Sequence, residues 1–210
     1  MAYRQGSLES LVNESFELRK QPETLTYQES SMIFHPTPIA GVFVIEPQPF
    51  RDFRGSFERR FCLQEFSDAQ IPMKISQINR SFSVKKGTVR GLHYQVEPMS
   101  EMKIVQCFRG RVFDVAVDLR KNSPTFLKWY GEILDGENGW ALCIPHGCAH
   151  GFQTLLDDSE IIYFTDQAYS PLHERGVNYL DPRINIRWPE EVTNISEKDR
   201  NAPEFEGDGL

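Results

Sequence analysis

One segment constrains the fold more than any other, because large apolar side chains occupy every second position along most of it. In segment 111–119 a two-residue period separates two faces. One face carries Phe113, Val115, Val117 and Leu119, and the other carries Asp114, Ala116 and Asp118. Such a period predicts a β-strand, since successive side chains of a strand point to opposite sides of a sheet.

Similar short segments recur along the chain at nearly regular spacing. Turn clusters rich in Gly, Asn, Asp and Pro separate them, for example at 121–124 and 135–139. We predict strands at 41–45, 74–83, 88–95, 103–108, 111–119, 126–134, 140–144, 151–155 and 160–165, and a brief helix at 63–67. No long helix is available as a βαβ crossover, so the pattern predicts an all-β antiparallel sandwich or barrel.

Composition narrows the class of protein. The chain has 210 residues, of which 40% are hydrophobic and 25% charged, as expected for one domain with a substantial core. A net charge of −7 without a basic run argues against nucleic acid or an anionic membrane as a partner. The cysteines follow no CxxC spacing, no apolar run is long enough to span a bilayer, and the start lacks a signal-peptide pattern. We therefore expect a cytoplasmic protein with reduced thiols.

The first 35 residues differ from the rest of the chain. Residues 1–35 are predicted to be an N-terminal arm or a short amphipathic helix, with Leu8, Leu11 and Phe16 near helical spacing. Two prolines at positions 36 and 38 end this region, because proline forces the preceding residue into an extended conformation. We expect residues 36–210 to form the barrel domain, with an acidic, irregular tail from Ile195 onward.

Segment 88–95 contains the first candidate functional residues. Arg90 is a fixed cation, and His93 is a group that gains or loses a proton near neutral pH. Together they suit an anionic substrate that undergoes proton transfer, although a surface Arg and a structural His would look the same in sequence. Gly91 interrupts the alternation, which predicts a β-bulge or a close approach of another backbone.

A second pattern lies near the middle of the chain. Gly139, Pro145, Gly147 and His150 have the spacing of the second half of the cupin signature, which is typical of a jelly-roll barrel. Pro145 and Gly147 turn the chain, and the following strand carries His150 into the barrel mouth. Metal-binding cupins add a HxH pair, whereas His93 is followed by Tyr and Gln. We therefore predict no metal site.

Several spaced motifs, covering about residues 38–200, resemble one family. The motifs are Asp52-x-Arg54-Gly55, Gln77-x-Asn79, Arg90-Gly-Leu-His93-Tyr-Gln95, Lys103-Ile-Val, Phe113-Asp-Val-Ala-Val-Asp-Leu-Arg120, Ile144-Pro-x-Gly-x-Ala-His150-Gly-Phe152 and Tyr163. They resemble the dTDP-4-dehydrorhamnose 3,5-epimerases, metal-free cupin-like enzymes that act on nucleotide sugars. The resemblance implies a cupin-type jelly-roll barrel (a double-stranded β-helix) with a few short helices, no cofactor and a homodimer.

The resemblance also implies a reaction and catalytic residues. The substrate is a nucleoside-diphosphate 4-keto-6-deoxyhexose, most simply dTDP-linked, in which the ketone acidifies the hydrogens on C3 and C5. Removing one proton gives an enolate, and returning it from the opposite face inverts the centre. By the same resemblance His93 is the base, Asp199 orients it, Tyr163 is the acid and Lys103 is the cation near the enolate oxygen.

Substrate-binding residues follow from the same resemblance. Arg54 and Arg90 match diphosphate binders, for which a guanidinium fork is well suited. Gln77 and Asn79 match polar contacts to the nucleotide or the sugar. His150 matches a second active-site histidine that donates a hydrogen bond to the sugar.

The sequence departs from the family pattern near Lys103, and other functions stay open. Glu101 stands where the family usually has Gln, and its charge either pairs with a nearby cation or faces water. The alternatives in the same fold are a C3-only epimerase, a ketoisomerase of a related nucleotide sugar, and a non-catalytic nucleotide-sugar-binding cupin. A metal-dependent cupin is disfavoured by the missing HxH.

Overall fold

The computed structural model describes residues 31–207, 209 and 210, which form thirteen strands and two short helices. The strands are β1 Met32–Pro36, β2 Phe43–Pro47, β3 Phe50–Asp52, β4 Gly55–Phe57, β5 Gln77–Ser83, β6 Val89–Gln95, β7 Lys103–Arg109, β8 Arg111–Asp118, β9 Trp129–Asp135, β10 Ala141–Ile144, β11 Cys148–Thr154, β12 Ser159–Thr165 and β13 Glu174–Gly176. The helices are α1 Leu63–Asp68 and α2 Glu197–Arg200. The regular elements of the described residues are therefore almost all β-strands, as predicted.

Two antiparallel sheets face each other, and a small hairpin extends from them. The six-stranded sheet has the order β1-β2-β10-β7-β12-β5, and the five-stranded sheet has the order β13-β6-β11-β8-β9. Strands β3 and β4 form a separate two-stranded hairpin. Neighbours within a sheet are mostly distant in sequence, which is the connectivity of a jelly roll. The predicted jelly-roll barrel is confirmed.

Three apolar clusters stabilise this arrangement. One fills the space between the sheets and includes Val105 and Leu142 from one sheet and Ala116 from the other. The second lies on the outer face of the six-stranded sheet, beneath Phe66 of α1. The third covers the outer face of the five-stranded sheet, where Phe205 from the C-terminal segment packs. Strand β8 is therefore buried on both faces, so Asp114 and Asp118 are as fully buried as Val115 and Val117.

The predicted elements agree closely with those observed. All nine predicted strands are present, and the predicted helix at 63–67 is α1. Strand β11 begins at Cys148, three residues before the predicted start, so Gly147 leads directly into it. Three cysteines are buried and Cys62 is partly exposed; none of the four forms a disulfide.

Two ends of the domain differ from expectation. The tail after Ile195 is not wholly irregular, because α2 forms one helical turn there and Phe205 is buried. The first sheet already begins with β1 at Met32, and the boundary predicted at residue 36 coincides with the end of that strand. The helix considered near residues 8–16 lies outside the described residues. No helix in the described part of the chain is both long and apolar enough to cross a membrane.

Candidate active site

A cavity of about 470 Å³ lies between the two sheets. Its walls come from β6 and β11 on one side and from β5, β7 and β12 on the other, and residues 194–199 close part of it. Six of the nine predicted site residues line this cavity: Arg90, His93, Lys103, His150, Tyr163 and Asp199. The structure therefore brings most of the predicted residues together around one cavity.

A bulge in β6 explains how Arg90 and His93, three positions apart, reach the same cavity. Strand β6 pairs His93 with His150 and Arg90 with Phe152, so two residues of β6 stand opposite one residue of β11. Gly91 lies in this bulge with a φ of +101°, and a Cβ there would be 2.6 Å from the carbonyl oxygen of His150. Only glycine fits, and both features predicted for this position are present.

His93 is held by a carboxylate from the end of the chain. Its Nε2 lies 2.7 Å from Oδ1 of Asp199, while Oδ2 of Asp199 accepts the backbone N–H of Gly91 at 3.2 Å. Ser196 caps α2 by accepting the backbone N–H of Asp199 at 3.1 Å, which fixes the carboxylate from behind. Burial alone would raise the pKa of Asp199, but the hydrogen bond and charge of His93, with smaller contributions from Gly91 and Ser196, hold that pKa below its usual value.

The opposing strand carries a second pair of the same type. Nε2 of His150 lies 2.8 Å from Oδ1 of Asp114, and Asp114 is fully buried on β8. Within the described residues, the other oxygen of Asp114 is buried without a hydrogen-bond partner. The sequence analysis did not identify Asp114 as a site residue. Its position on the same face of β8 as the buried Ala116 could have suggested that it is a buried partner of a polar side chain.

The cation predicted near the reacting oxygen lies at the start of β7. Nζ of Lys103 is 2.9 Å from Oε1 of Glu101 and 3.5 Å from the carbonyl oxygen of His93. The first of these contacts answers the question left open by the sequence, since Glu101 pairs with the neighbouring cation. Lys103 thus extends from the six-stranded sheet towards the backbone of β6.

Tyr163 stands on the wall opposite His93. It lies on β12 of the six-stranded sheet and packs against the apolar cluster between the sheets. Burial raises the pKa of Tyr163, the charge of Glu101 raises it further, and Arg90 acts in the opposite direction. The phenol is therefore a protonated group, able to donate a proton into the cavity.

The residues of β5 lie along the same wall. Asn79 is directly opposite Tyr163 in the pairing of β5 and β12, and Gln77 donates a hydrogen bond to Asn79 at 2.8 Å. Arg90 reaches this strand from β6, where it donates to Ser83 Oγ at 3.2 Å and to the carbonyl oxygen of Phe82 at 3.0 Å. Neither Gln77 nor Asn79 lines the cavity itself.

A further cation at the cavity was not identified from the sequence. Lys198 of α2 lines the cavity, and its Nζ binds Oε2 of Glu174 at 2.6 Å. The same carboxylate oxygen accepts the hydroxyl of Tyr169 at 2.9 Å. The sequence contained one indication of this position, since Lys198 directly precedes Asp199. That indication could not be used, because the tail was predicted to be irregular.

Arg54 is a predicted site residue that lies outside this cavity. It belongs to the turn between β3 and β4, and its guanidinium binds Asp52 with an Nη2–Oδ2 distance of 2.6 Å. The hairpin forms its own shallow depression, which shares no residue with the cavity. Within a single chain, Arg54 is therefore not part of the site.

Among the described residues, no group of three or more His, Cys, Asp or Glu side chains is arranged as a set of metal ligands. His93 and His150 each direct Nε2 at a carboxylate instead.

Comparison with known proteins agrees with this geometry. A family model described as dTDP-4-dehydrorhamnose 3,5-epimerase matches residues 36–207. Over 171 residues the chain is 47% identical to a protein of that name from Shigella flexneri, covering 80% of this chain and 93% of the relative. Over 172 residues it is 38% identical to a dTDP-4-dehydrorhamnose 3-epimerase from Streptomyces niveus, covering 81% and 83%.

A solved structure supports the same assignment. The 3,5-epimerase from Bacillus anthracis, crystallised with TDP and PPi bound, superimposes with a TM-score of 0.81 at 37% identity. The match covers 83% of this chain and 100% of the other. The sequence motifs, the barrel and these matches lead to one conclusion: the chain belongs to the dTDP-4-dehydrorhamnose 3,5-epimerase family of isomerases.

Proposed function

We propose that this protein epimerises C3, C5 or both centres of a dTDP-linked 4-keto-6-deoxyhexose, in the biosynthesis of a deoxysugar. The observation that carries the proposal is the placement of His93 and Tyr163 on opposite walls of one cavity. Inversion through an enolate needs a base on one face of the sugar ring and an acid on the other. The two sheets supply those groups from opposite sides.

His93 acts as the base in this mechanism. Since Nε2 donates its proton to Asp199, the lone pair of the neutral imidazole lies on Nδ1. Nδ1 removes the proton next to the ketone, and the charge of Asp199 stabilises the imidazolium that forms. Asp199 therefore has the orienting function that carboxylates perform in other histidine dyads.

Lys103 and Tyr163 complete the reaction. The ammonium of Lys103 stabilises the enolate oxygen, a contribution of about 3 kcal/mol for one preorganised donor of this kind. Tyr163 then returns a proton from the other face and inverts the centre. A binding protein without catalysis would need the cations for the diphosphate, but it would not need His93, Lys103 and Tyr163 in the same cavity.

The diphosphate requires positive charge, and we propose that Arg90 and Lys198 supply it within one chain. Arg54 joins them only if a second subunit brings its β3–β4 hairpin to this cavity. The hairpin supports such a homodimer, because Phe53 is 98% exposed and Phe50 and Phe57 are also largely exposed. Exposed aromatic side chains beside an arginine are typical of a protein interface.

The number of centres inverted is a finer question. The relatives include proteins named as 3,5-epimerases and one named as a 3-epimerase. We favour inversion at both C3 and C5, with C3 alone as the second candidate. The choice depends on where Tyr163 delivers its proton, and therefore on its position to a fraction of an ångström.

Proton NMR in heavy water with dTDP-4-keto-6-deoxyglucose tests the proposal. Deuterium entering both C3 and C5 is the expected result, and deuterium at C3 alone identifies a 3-epimerase. No exchange with this substrate, or with the same sugar on other nucleoside diphosphates, contradicts an epimerase function.

A further inference from the structure

Glu101 forms a largely buried ion pair with Lys103 at the edge of the cavity. It lies two residues before Lys103, which is the first residue of β7. Oε1 of Glu101 is 2.9 Å from Nζ of Lys103, and both side chains are only 10% exposed. Lys103 lines the cavity but Glu101 does not, so the carboxylate supports the cation from behind.

The backbone between these two residues is also fixed. The N–H of Met102 donates to Oδ1 of Asp166 at 2.8 Å, and Oδ2 of Asp166 binds Nε2 of His146 at the same distance. The segment therefore has little freedom to move, and the direction of Lys103 depends on its own four-carbon chain. A flexible ammonium of this kind takes a defined position only when a partner holds it.

The carboxylate has a second effect on the cavity. An ammonium removed from water is unfavourable unless a counter-charge accompanies it, and Glu101 provides that charge. Its field also reaches Tyr163, whose pKa is raised first by burial and then by Glu101, with Arg90 lowering it and Glu174 and Tyr169 raising it. Glu101 thus influences two of the groups that the proposed reaction uses.

We propose that Glu101 is a positioning residue for the epimerisation: its carboxylate holds the ammonium of Lys103 at the cavity wall where the enolate oxygen forms. The inference rests on the proposed function and identifies a residue that the reaction needs although it does not touch the substrate. Other charged groups near Glu101 are His146 with Asp166, and Glu97. The pKa of His146 is raised by its hydrogen bond to Asp166, and more weakly by Glu97 and Glu101.

Two substitutions separate the position of Lys103 from the charge of Glu101. Glu101→Ala removes both the acceptor and the charge, whereas Glu101→Gln keeps an oxygen that accepts from Lys103. The matched control is Glu190→Gln, because Oε1 of Glu190 also lies 2.9 Å from a lysine Nζ, that of Lys86, but outside the cavity. All three variants and the unmodified enzyme are assayed for turnover of dTDP-4-keto-6-deoxyglucose, and for its KM, against pH.

We expect Glu101→Ala to lower kcat by about 10–100-fold while KM changes by less than about threefold. Glu101→Gln falls between this variant and the unmodified enzyme, and the alkaline limb of its kcat profile moves to lower pH, because Tyr163 loses the neighbouring negative charge. Glu190→Gln keeps the kcat and pH profile of the unmodified enzyme.

Three results would overturn the inference. Glu101→Ala with unchanged kcat and pH profile per folded molecule means that the pair has no influence on the reaction. Equal losses in Glu101→Ala and Glu101→Gln, with an unshifted pH profile and a lowered melting temperature, indicate a purely structural ion pair. If the unmodified enzyme shows no turnover or exchange, the proposed function fails first, and the inference falls with it.

Discussion

Two histidines line the cavity, and each is bonded through Nε2 to an aspartate at nearly the same distance but in different surroundings. His93 with Asp199 and His150 with Asp114 have Nε2–Oδ1 distances of 2.7 and 2.8 Å. The two histidines even stand opposite each other on adjacent strands. Yet the His93 side chain is 31% exposed, whereas that of His150 is 10% exposed.

The carboxylates differ as well. Asp199 arrives on a one-turn helix from the end of the chain, and both of its oxygens are hydrogen-bonded. Asp114 lies within a central strand, and one of its oxygens is buried without a partner. From this difference we infer that access to the cavity decides which pair exchanges protons with a substrate. We assign the reactive function to the exposed pair and an anchoring function to the buried one.

Removing the exposed histidine should have the largest effect. In His93→Ala, turnover should fall by about 10³-fold, since a positioned general base contributes about 10²–10⁴. Affinity for dTDP, measured by calorimetry, should stay within about threefold. His35→Ala is the control, because His35 forms a similar pair with Glu46, at 2.8 Å, outside the cavity. Near-normal turnover in His93→Ala would rule out its assignment as the base.

Tyr163→Phe should separate the two halves of the reaction. Without the phenol, net inversion should fall by about 10²-fold, while exchange of solvent deuterium into the substrate continues through His93. Exchange and inversion are measured in the same NMR experiment. If both fall equally, Tyr163 does not act after His93 in the way proposed.

The buried carboxylate should matter more for stability than for turnover. Asp114→Ala leaves the histidine partner unpaired in the core, which should lower the free energy of unfolding by about 1–3 kcal/mol. Asp199→Ala should destabilise less, because a partly exposed His93 can bind water instead. Urea unfolding of both variants provides the comparison. A larger loss of unfolding free energy in Asp199→Ala would contradict the anchoring function of the buried pair.

A third carboxylate in the barrel should affect stability alone. Burial would raise the pKa of Asp118, but hydrogen bonds from Arg120, Ser123 and Thr125 hold it at about 2, below the ordinary 3.8. A pKa lowered by folding stabilises the protein above the unfolded value, and that contribution is lost as the pH falls towards 2. The stability difference between Asp118→Asn and the unmodified protein should therefore be largest near neutral pH and shrink between pH 4 and 2. Turnover per folded molecule should not change.

Much of the fold could be predicted because its causes are local. The two-residue period of segment 111–119 identified β8, and the break at Gly91 identified the bulge that brings Arg90 and His93 together. The tail was harder, since α2 is a single turn and its stability comes from Ser196 and from packing that a local pattern does not contain.

The site was predictable only where a motif marked it. Asp199 came from the resemblance alone, because an aspartate in a polar tail carries no sign that it will be buried against His93. Asp114 was missed although its strand was assigned correctly, since pairing across strands depends on register. The pairing of Glu101 with Lys103 depends on the direction of the two side chains, which the sequence left open. The surroundings of Arg54 depend on whether a second subunit contacts it. A local sequence pattern does not determine such a contact.

The most direct test compares deuterium exchange at C3 and C5 of dTDP-4-keto-6-deoxyglucose in Asp199→Asn and Asp114→Asn. Both substitutions remove one charge from a histidine partner and preserve the size of the side chain. We expect exchange to slow by about 10–100-fold in Asp199→Asn and to stay within about threefold of the unmodified rate in Asp114→Asn. Equal slowing in both variants, or slowing only in Asp114→Asn, would contradict the assignment of His93 and Asp199 as the reactive pair.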